Sequence, residues 1–202
     1  MRSDIIMANT VANVTVSKPK VGGAAWRAPL GTELPTDAAT ELSSAFVSLG
    51  YISTDGLKHN ISRTNSSTKA WGGDTVLDSE TEKNDQYRFT AIEALNPEVL
   101  KMASGDSNVS GTLAAGMTVL SNSNALDEAV YVFDRILRNG VLKRTVIERG
   151  QVIGIEEISE DDSNVTGYNF TINAYPDANG NTSKDYYLKP ATTSQTEDPG
   201  EG

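Results

Sequence analysis

Residues 129–158 read AVYVFDRILRNGVLKRTVIERGQVIGIEEI. Asn139-Gly140 divides two runs rich in β-branched and aromatic residues. That dipeptide is the strongest short-range hairpin signal, because a tight type I′ turn needs positive φ at both central positions. The stretch therefore predicts antiparallel strands over 129–138 and 141–148. A further strand is expected over 151–158, after the Arg149-Gly150 break. Val130, Tyr131, Val132, Phe133, Ile136 and Leu137 put apolar groups on both faces of the first strand. Such a strand is covered on both sides, either inside its own sandwich or against a neighbouring chain, and the pattern fits both.

Outward from this hairpin the β signals continue. Tyr168, Phe170, Ile172 and Ala174 alternate over 167–175, residues 176–181 hold turn chemistry, and 185–188 can form a last short strand. On the N-terminal side, 86–93 alternates Tyr87, Phe89 and Ala91 against Arg88 and Thr90, and 24–28 is a strand stopped by Pro29. Val11 to Val16 shows a short alternation typical of an edge strand. A strand with a glycine-pair bulge is expected over 70–77. Two helices are predicted. In 95–105, Asn96 is the N-cap, Pro97 the first helical residue, Leu95 and Leu100 a hydrophobic staple, and Gly105 the stop. In 37–49, Thr36 is the cap, Leu42, Phe46 and Leu49 recur at helical spacing to pack inward, and Gly50 ends the helix. Residues 53–69 are almost wholly polar apart from Leu57 and Ile61, and read as a long binding loop. Many short strands joined by tight turns give a mainly β (α+β) fold: an antiparallel β-sandwich or barrel flanked by one or two short α-helices. The expected organisation is a flexible arm over 1–22, one domain over 23–189 and a disordered acidic tail over 190–202, with Met7 a candidate initiator.

Composition narrows the function. The chain has 202 residues, 17 Lys and Arg against 27 Asp and Glu, a net charge of -10, one histidine and no cysteine. An acidic balance argues against duplex DNA as a tightly held ligand, which requires clustered cations. The lack of cysteine removes disulfides, thiolate nucleophiles and thiolate metal sites. No secretory leader is read at the start, so a cytosolic product is expected. His59 stands alone in the polar stretch and has no triad partners in view. The G-x-x-x-x-G from Gly111 to Gly116 is followed by Met117 where a phosphate-binding loop needs lysine. Asp177 to Asn181 lacks the calcium-loop glycine position, and Leu188 stands where the bidentate glutamate belongs. The acids Glu156, Glu157, Glu160, Asp161 and Asp162 suit a solvated turn. No catalytic, cofactor or metal signature survives, and no enzyme is expected.

Four segments carry a resemblance: KPKVGGAAWRAPLGTELPTDAATELSSAFVSLGYISTDGL (18–57), KAWGGDTV (69–76), FTAIEALNPEVLKMASGD (89–106) and INAYPDANGNTSKDYY (172–187). In this order, over roughly residues 7–188, the chain resembles siphophage major tail proteins, the subunits of the tail tube. The resemblance implies a β-sandwich assembled six to a ring, with rings stacked into a hollow tube through which double-stranded DNA passes without specific binding. It further implies tape measure and tail terminator or tip proteins as partners, no cofactor, and a place in the virion tail after synthesis in the host cytoplasm. On that frame Asp134, Glu148, Glu156 and Glu157 are the expected lumen-facing acids. Val130, Val132, Ile136, His59 and Ile61 are the expected inter-subunit contacts. The other readings are a related head-tail connector or contractile-type tube protein and, from a different class, a secreted carbohydrate-binding β-sandwich.

Overall fold

The computed structural model describes residues 9–190. The strands are β1 (Ser17–Pro19), β2 (Ala25–Pro29), β3 (Val47–Ser48), β4 (Lys58–Lys69), β5 (Thr75–Ala91), β6 (Val109–Thr112), β7 (Gly116–Val119), β8 (Glu128–Leu137), β9 (Leu142–Ile155), β10 (Tyr168–Tyr175) and β11 (Lys184–Leu188), with helix α1 (Pro97–Ser104) between β5 and β6. The fold is mainly β and antiparallel, as expected. β8 and β9 form the hairpin read from Asn139-Gly140, and both turn residues have the positive φ it needs (60° and 73°). Around this pair the sheet runs β3-β2-β8-β9-β10-β5-β4, with β1 also on β8 and β11 also on β9; β6 and β7 form a separate hairpin.

The main sheet closes on itself. β5 and β8 are separated by β9 and β10, which would put them about 14 Å apart in a flat sheet. Yet the Phe89 and Phe133 rings meet edge-on at 5.4 Å. Inside this sandwich-like curl lie Tyr87, Phe89, Tyr131, Phe133, Ile147, Phe170 and Ile172, with Val99 and Met102 of α1 closing the end. The opposite face of β8 carries Val130 and Val132, which pack with Ala28, Phe46 and Val146 beneath Leu34 and Leu42. Each large apolar side chain so buried contributes about 1.5–3 kcal/mol. β9 runs unbroken through Arg149-Gly150, and a register shift opposite Ala129–Tyr131 absorbs one extra residue there. Gly150 is required at that bulge, because a Cβ would lie 2.7 Å from Tyr131 Cδ2.

Helix α1 follows its sequence signals: the Asn96 side chain accepts the Glu98 amide, Pro97 opens the helix and Gly105 ends it. Leu95 stays exposed while Leu100 is buried, so Asn96 and Pro97 set the start rather than a sealed leucine staple.

Four expectations are corrected. No helix forms over 37–49. Asp37 Oδ1 accepts the amides of Ala39 (2.7 Å) and Thr40 (2.6 Å), a local turn that would also suit a helix start, but the carbonyls of Asp37 and Thr40 accept from Arg144 Nη1 (3.1 and 2.8 Å). Those carbonyls are unavailable to a helix, and Val47–Ser48 pairs with β2. Phe46 and Leu49 still pack inward, with Leu42 half-buried. The stretch 53–69 is not a loop: from Lys58 it is the twelve-residue strand β4, paired along its length with β5. The glycine pair at 72–73 makes the turn between β4 and β5, so the expected strand over 70–77 begins only at Thr75. Residues 11–13 form a 3-10 turn, and the arm is bound to the fold further on, where β1 pairs with β8 from Ser17↔Leu137 to Pro19↔Arg135. The ends of the expected arm and tail, residues 1–8 and 191–202, lie outside the described residues.

Candidate assembly surfaces

The outer part of the β4–β5 hairpin is built from a sequence that buries almost nothing, while Tyr87, Phe89 and Ala91 at the end of β5 belong to the core. All twelve residues of β4 and the first nine of β5 are exposed. Thr, Ser and Asn suit a solvated strand because each supplies cross-strand hydrogen bonds without an apolar face. Arg63 Nη1 meets Glu80 at 2.5 Å, Ser67 Oγ donates to Asp78 at 3.2 Å, and Thr81 Oγ1 donates to the Thr64 carbonyl at 3.0 Å. Such exposed pairs each contribute about 0–1 kcal/mol, and a lone two-stranded ribbon is marginal in water. Beyond the Ile61↔Asp85 pair the ribbon continues to Lys69↔Thr75, a reach of about 27 Å at ~3.4 Å per residue. At its tip Gly73 donates to the Ala70 carbonyl (3.0 Å) and Ala70 to the Asp74 carbonyl (2.8 Å), with positive φ at Gly72 and Gly73. Trp71 stands on that turn with a relative exposure of 106%.

The root of the ribbon is fastened differently. The His59 ring stacks on Tyr87 (4.1 Å between centroids, 10° between planes), and its Nε2 lies 2.5 Å from Asp85 Oδ1. Asp85 is buried and accepts a second hydrogen bond from Thr182 Oγ1. The Tyr87 hydroxyl donates to Ser183 Oγ at 2.8 Å, and burial pushes its pKa up to about 12. Asp85 and Tyr87 thus tie the root of the ribbon to the turn before β11, and the lone histidine packs against both. Asp177 organises that turn by accepting the amides of Asn179 and Asn181 at 2.8 and 2.9 Å; these bonds, that of Asn181 foremost, lower its pKa to about 2. Of the expected contact residues, His59 and Ile61 therefore lie on the ribbon, and Ile61 is exposed.

Val130 and Val132 lie elsewhere: both are buried within the chain's own second core, so they offer no surface to a neighbour. The two-sided apolar pattern of β8 is met by the chain's own loop 30–46. Ile136 is half-buried and registers with Lys18 of β1. The four expected lumen acids also separate. Asp134 is interior and held by Arg144 through two bonds (Nε–Oδ1 2.7 Å, Nη2–Oδ2 2.8 Å), with Lys20 Nζ at 3.8 Å, so its charge is compensated and turned from solvent. Glu148 is partly exposed and pairs with Lys184 at 3.3 Å. Glu156 and Glu157 are exposed just after β9, and Glu156 accepts a hydrogen bond from Asn169 (2.7 Å). Nearby Asp161 caps the amides of Ser163 and Asn164, so the acidic cluster is a solvated turn. Among the described residues no three acidic or histidine side chains converge as a metal site, and no helix is long and apolar enough to cross a membrane.

The sequence offers Trp71 as a core or interface anchor, and the structure puts it uncovered at the ribbon tip, where the flanking Gly72, Gly73 and Asp74 are the one local signal. A groove of about 810 Å³ between residues 17–24 and 50–57, lined by Phe133 among others, escaped the sequence reading. It joins segments distant in sequence and leaves no local signal.

The phage tail tube protein family matches residues 13–196. The chain belongs to that family. The match spans the main sheet, the ribbon and α1, and it places the tail tube protein among the structural components of a virion tail, with self-assembly into a tube implied. No curated protein matches the chain.

The buried pair gives a direct test of this geometry. Asp134→Asn leaves the Arg144 guanidinium buried and uncompensated, which should destabilise the unassembled tail tube protein by about 3–5 kcal/mol. Urea denaturation measures it, and a loss below about 1 kcal/mol would show that Asp134 is not interior.

Proposed function

We propose that this chain is the major tail tube subunit of a long-tailed phage of the siphophage type. Its single tube-forming domain, residues 23–189, assembles into hexameric rings that stack into the hollow tube through which DNA reaches the host cell. It acts without catalysis or cofactor. The observation that carries the reading beyond the family is the β4–β5 ribbon. A ribbon with no buried face contributes little to its own chain, yet it presents a free strand edge and an exposed tryptophan, the groups another copy can cover. Among the described residues no strand pairs with the outer edge of β4, and such an edge in an isolated protein invites association. A contact between unlike surfaces that repeats from copy to copy closes into rings or extends into filaments. Tape measure and tail terminator or tip proteins are the expected partners inside the tube and at its ends.

DNA passage needs a wall that does not hold phosphate. Glu156 and Glu157, with Glu148 beside Lys184, are the acids we place toward the lumen; Asp134, neutralised by Arg144, has no such role. Screening limits their repulsion to ~8 Å at physiological salt, so DNA is kept off the wall without being driven from the bore.

Electron microscopy of concentrated purified protein is expected to show hollow rings or tubes. A variant in which residues 64–82 are replaced by Asn-Gly should fold as a monomer and form none. Normal tubes from that variant, or only monomers from the parent chain, would contradict the proposal. Glu156→Lys with Glu157→Lys should slow DNA ejection from particles whose tubes are of normal length, and unchanged ejection kinetics would remove these acids from the lumen.

A further inference from the structure

The tip of the ribbon and the groove on the body correspond to each other. Trp71 is uncovered on a turn about 27 Å along the ribbon from the Ile61↔Asp85 pair, and burying a tryptophan removes about 150–250 Å² from water. The groove, of about 810 Å³, has room for that ring and its flanking turn, and its walls include the largely exposed Val21 and Tyr51. The charges match in both directions. Lys69 and Asp74 bracket Trp71, and the groove is lined by the cations Lys18, Lys20 and Arg135 and the acids Asp55 and Glu93; of these, Lys69, Asp74, Lys18 and Asp55 make no ion pair among the described residues. A second groove, beside Leu95 and Val165, has Glu93 as its only charge and offers no cation to Asp74.

We propose that Trp71 seats in the Val21–Tyr51 groove of a second copy of this chain, with Asp74 facing Lys18 and Lys69 facing Asp55. The inference rests on the reading of the chain as a self-assembling tube subunit and names the surfaces that join. Tip and groove are different surfaces on one chain, so each copy gives one and receives one, and the contact propagates. A single aromatic anchor in a pocket is the arrangement in which one side chain dominates binding. It also accounts for a tryptophan kept where the folded subunit gains nothing from it.

The chain has no cysteine, so introduced thiols report without background. Ala70→Cys, beside the tip, and Thr54→Cys, in the groove, are made in separate chains, mixed and assembled. A disulfide joining the two variants is expected in tubes and not in dilute subunits. Trp71→Ala should raise the concentration needed for assembly about tenfold or more, with Trp71→Phe intermediate and the unfolding of the subunit unchanged. Tubes that form without the tip-to-groove disulfide would overturn this contact while leaving the proposed function standing. A disulfide within one dilute chain carrying both cysteines would make the groove's occupant the chain's own tip and overturn it as well. Absence of tubes from the parent chain would instead remove the functional reading on which the contact rests.

Discussion

The antiparallel ladder between β8 and β9 supports nearly everything else in this chain. β1 and β2 hang from the outer edge of β8, while β10 and β11 hang from the outer edge of β9. The ladder also divides the two cores: Tyr131, Phe133 and Ile147 point to one side, and Val130, Val132 and Val146 to the other. Across it, Asp134 and Arg144 register directly opposite one another and pair in the interior. Arg144 then binds the carbonyls of Asp37 and Thr40, fixing the loop that seals the second core. One charge pair thus orders a segment about a hundred residues earlier in the chain. Burying it is costly, and the cost is offset because each of the three guanidinium nitrogens of Arg144 donates to an acceptor.

What could be read from the sequence follows from burial. The β8–β9 hairpin, β10 and helix α1 each carry a local signal that agrees with the tertiary outcome: Asn139-Gly140, the alternation from Tyr168 to Ala174, and Asn96-Pro97 with Gly105. The ribbon was hidden for the opposite reason. A strand exposed on both faces has no apolar alternation, so Lys58–Lys69 resembles a loop in composition although it is fully paired. Residues 37–49 mislead in another way. Leu42, Phe46 and Leu49 have helical spacing, and Asp37 accepts the Ala39 and Thr40 amides as a helix cap would. But Arg144 takes the carbonyls of Asp37 and Thr40, and Val47–Ser48 pairs with β2. The Asp37 turn is local, but Arg144 lies 107 and 104 positions along the chain from the residues whose carbonyls it binds.

The candidate site was legible only in part. His59 and Ile61 do lie on the exposed ribbon, though His59 itself is a fastener at its root. Val130 and Val132 could not be assigned from pattern, because a strand covered by its own loop and one covered by another chain carry the same apolar residues. The charge of Asp134 is visible in sequence, but its compensation by Arg144 depends on register.

A structural contrast therefore underlies the function: a body held by two cores and a buried ion pair, and a ribbon held by backbone pairing and surface contacts alone. On the proposed reading, that contrast makes the ribbon the part whose stability comes from the neighbouring copy. Amide hydrogen exchange over residues 61–83, compared between dilute subunits and assembled tubes, tests this most directly. Fast exchange in the subunit and protection at least a hundredfold greater in the tube is the predicted result. Equal protection in the two states would contradict it and leave the ribbon without a part in assembly.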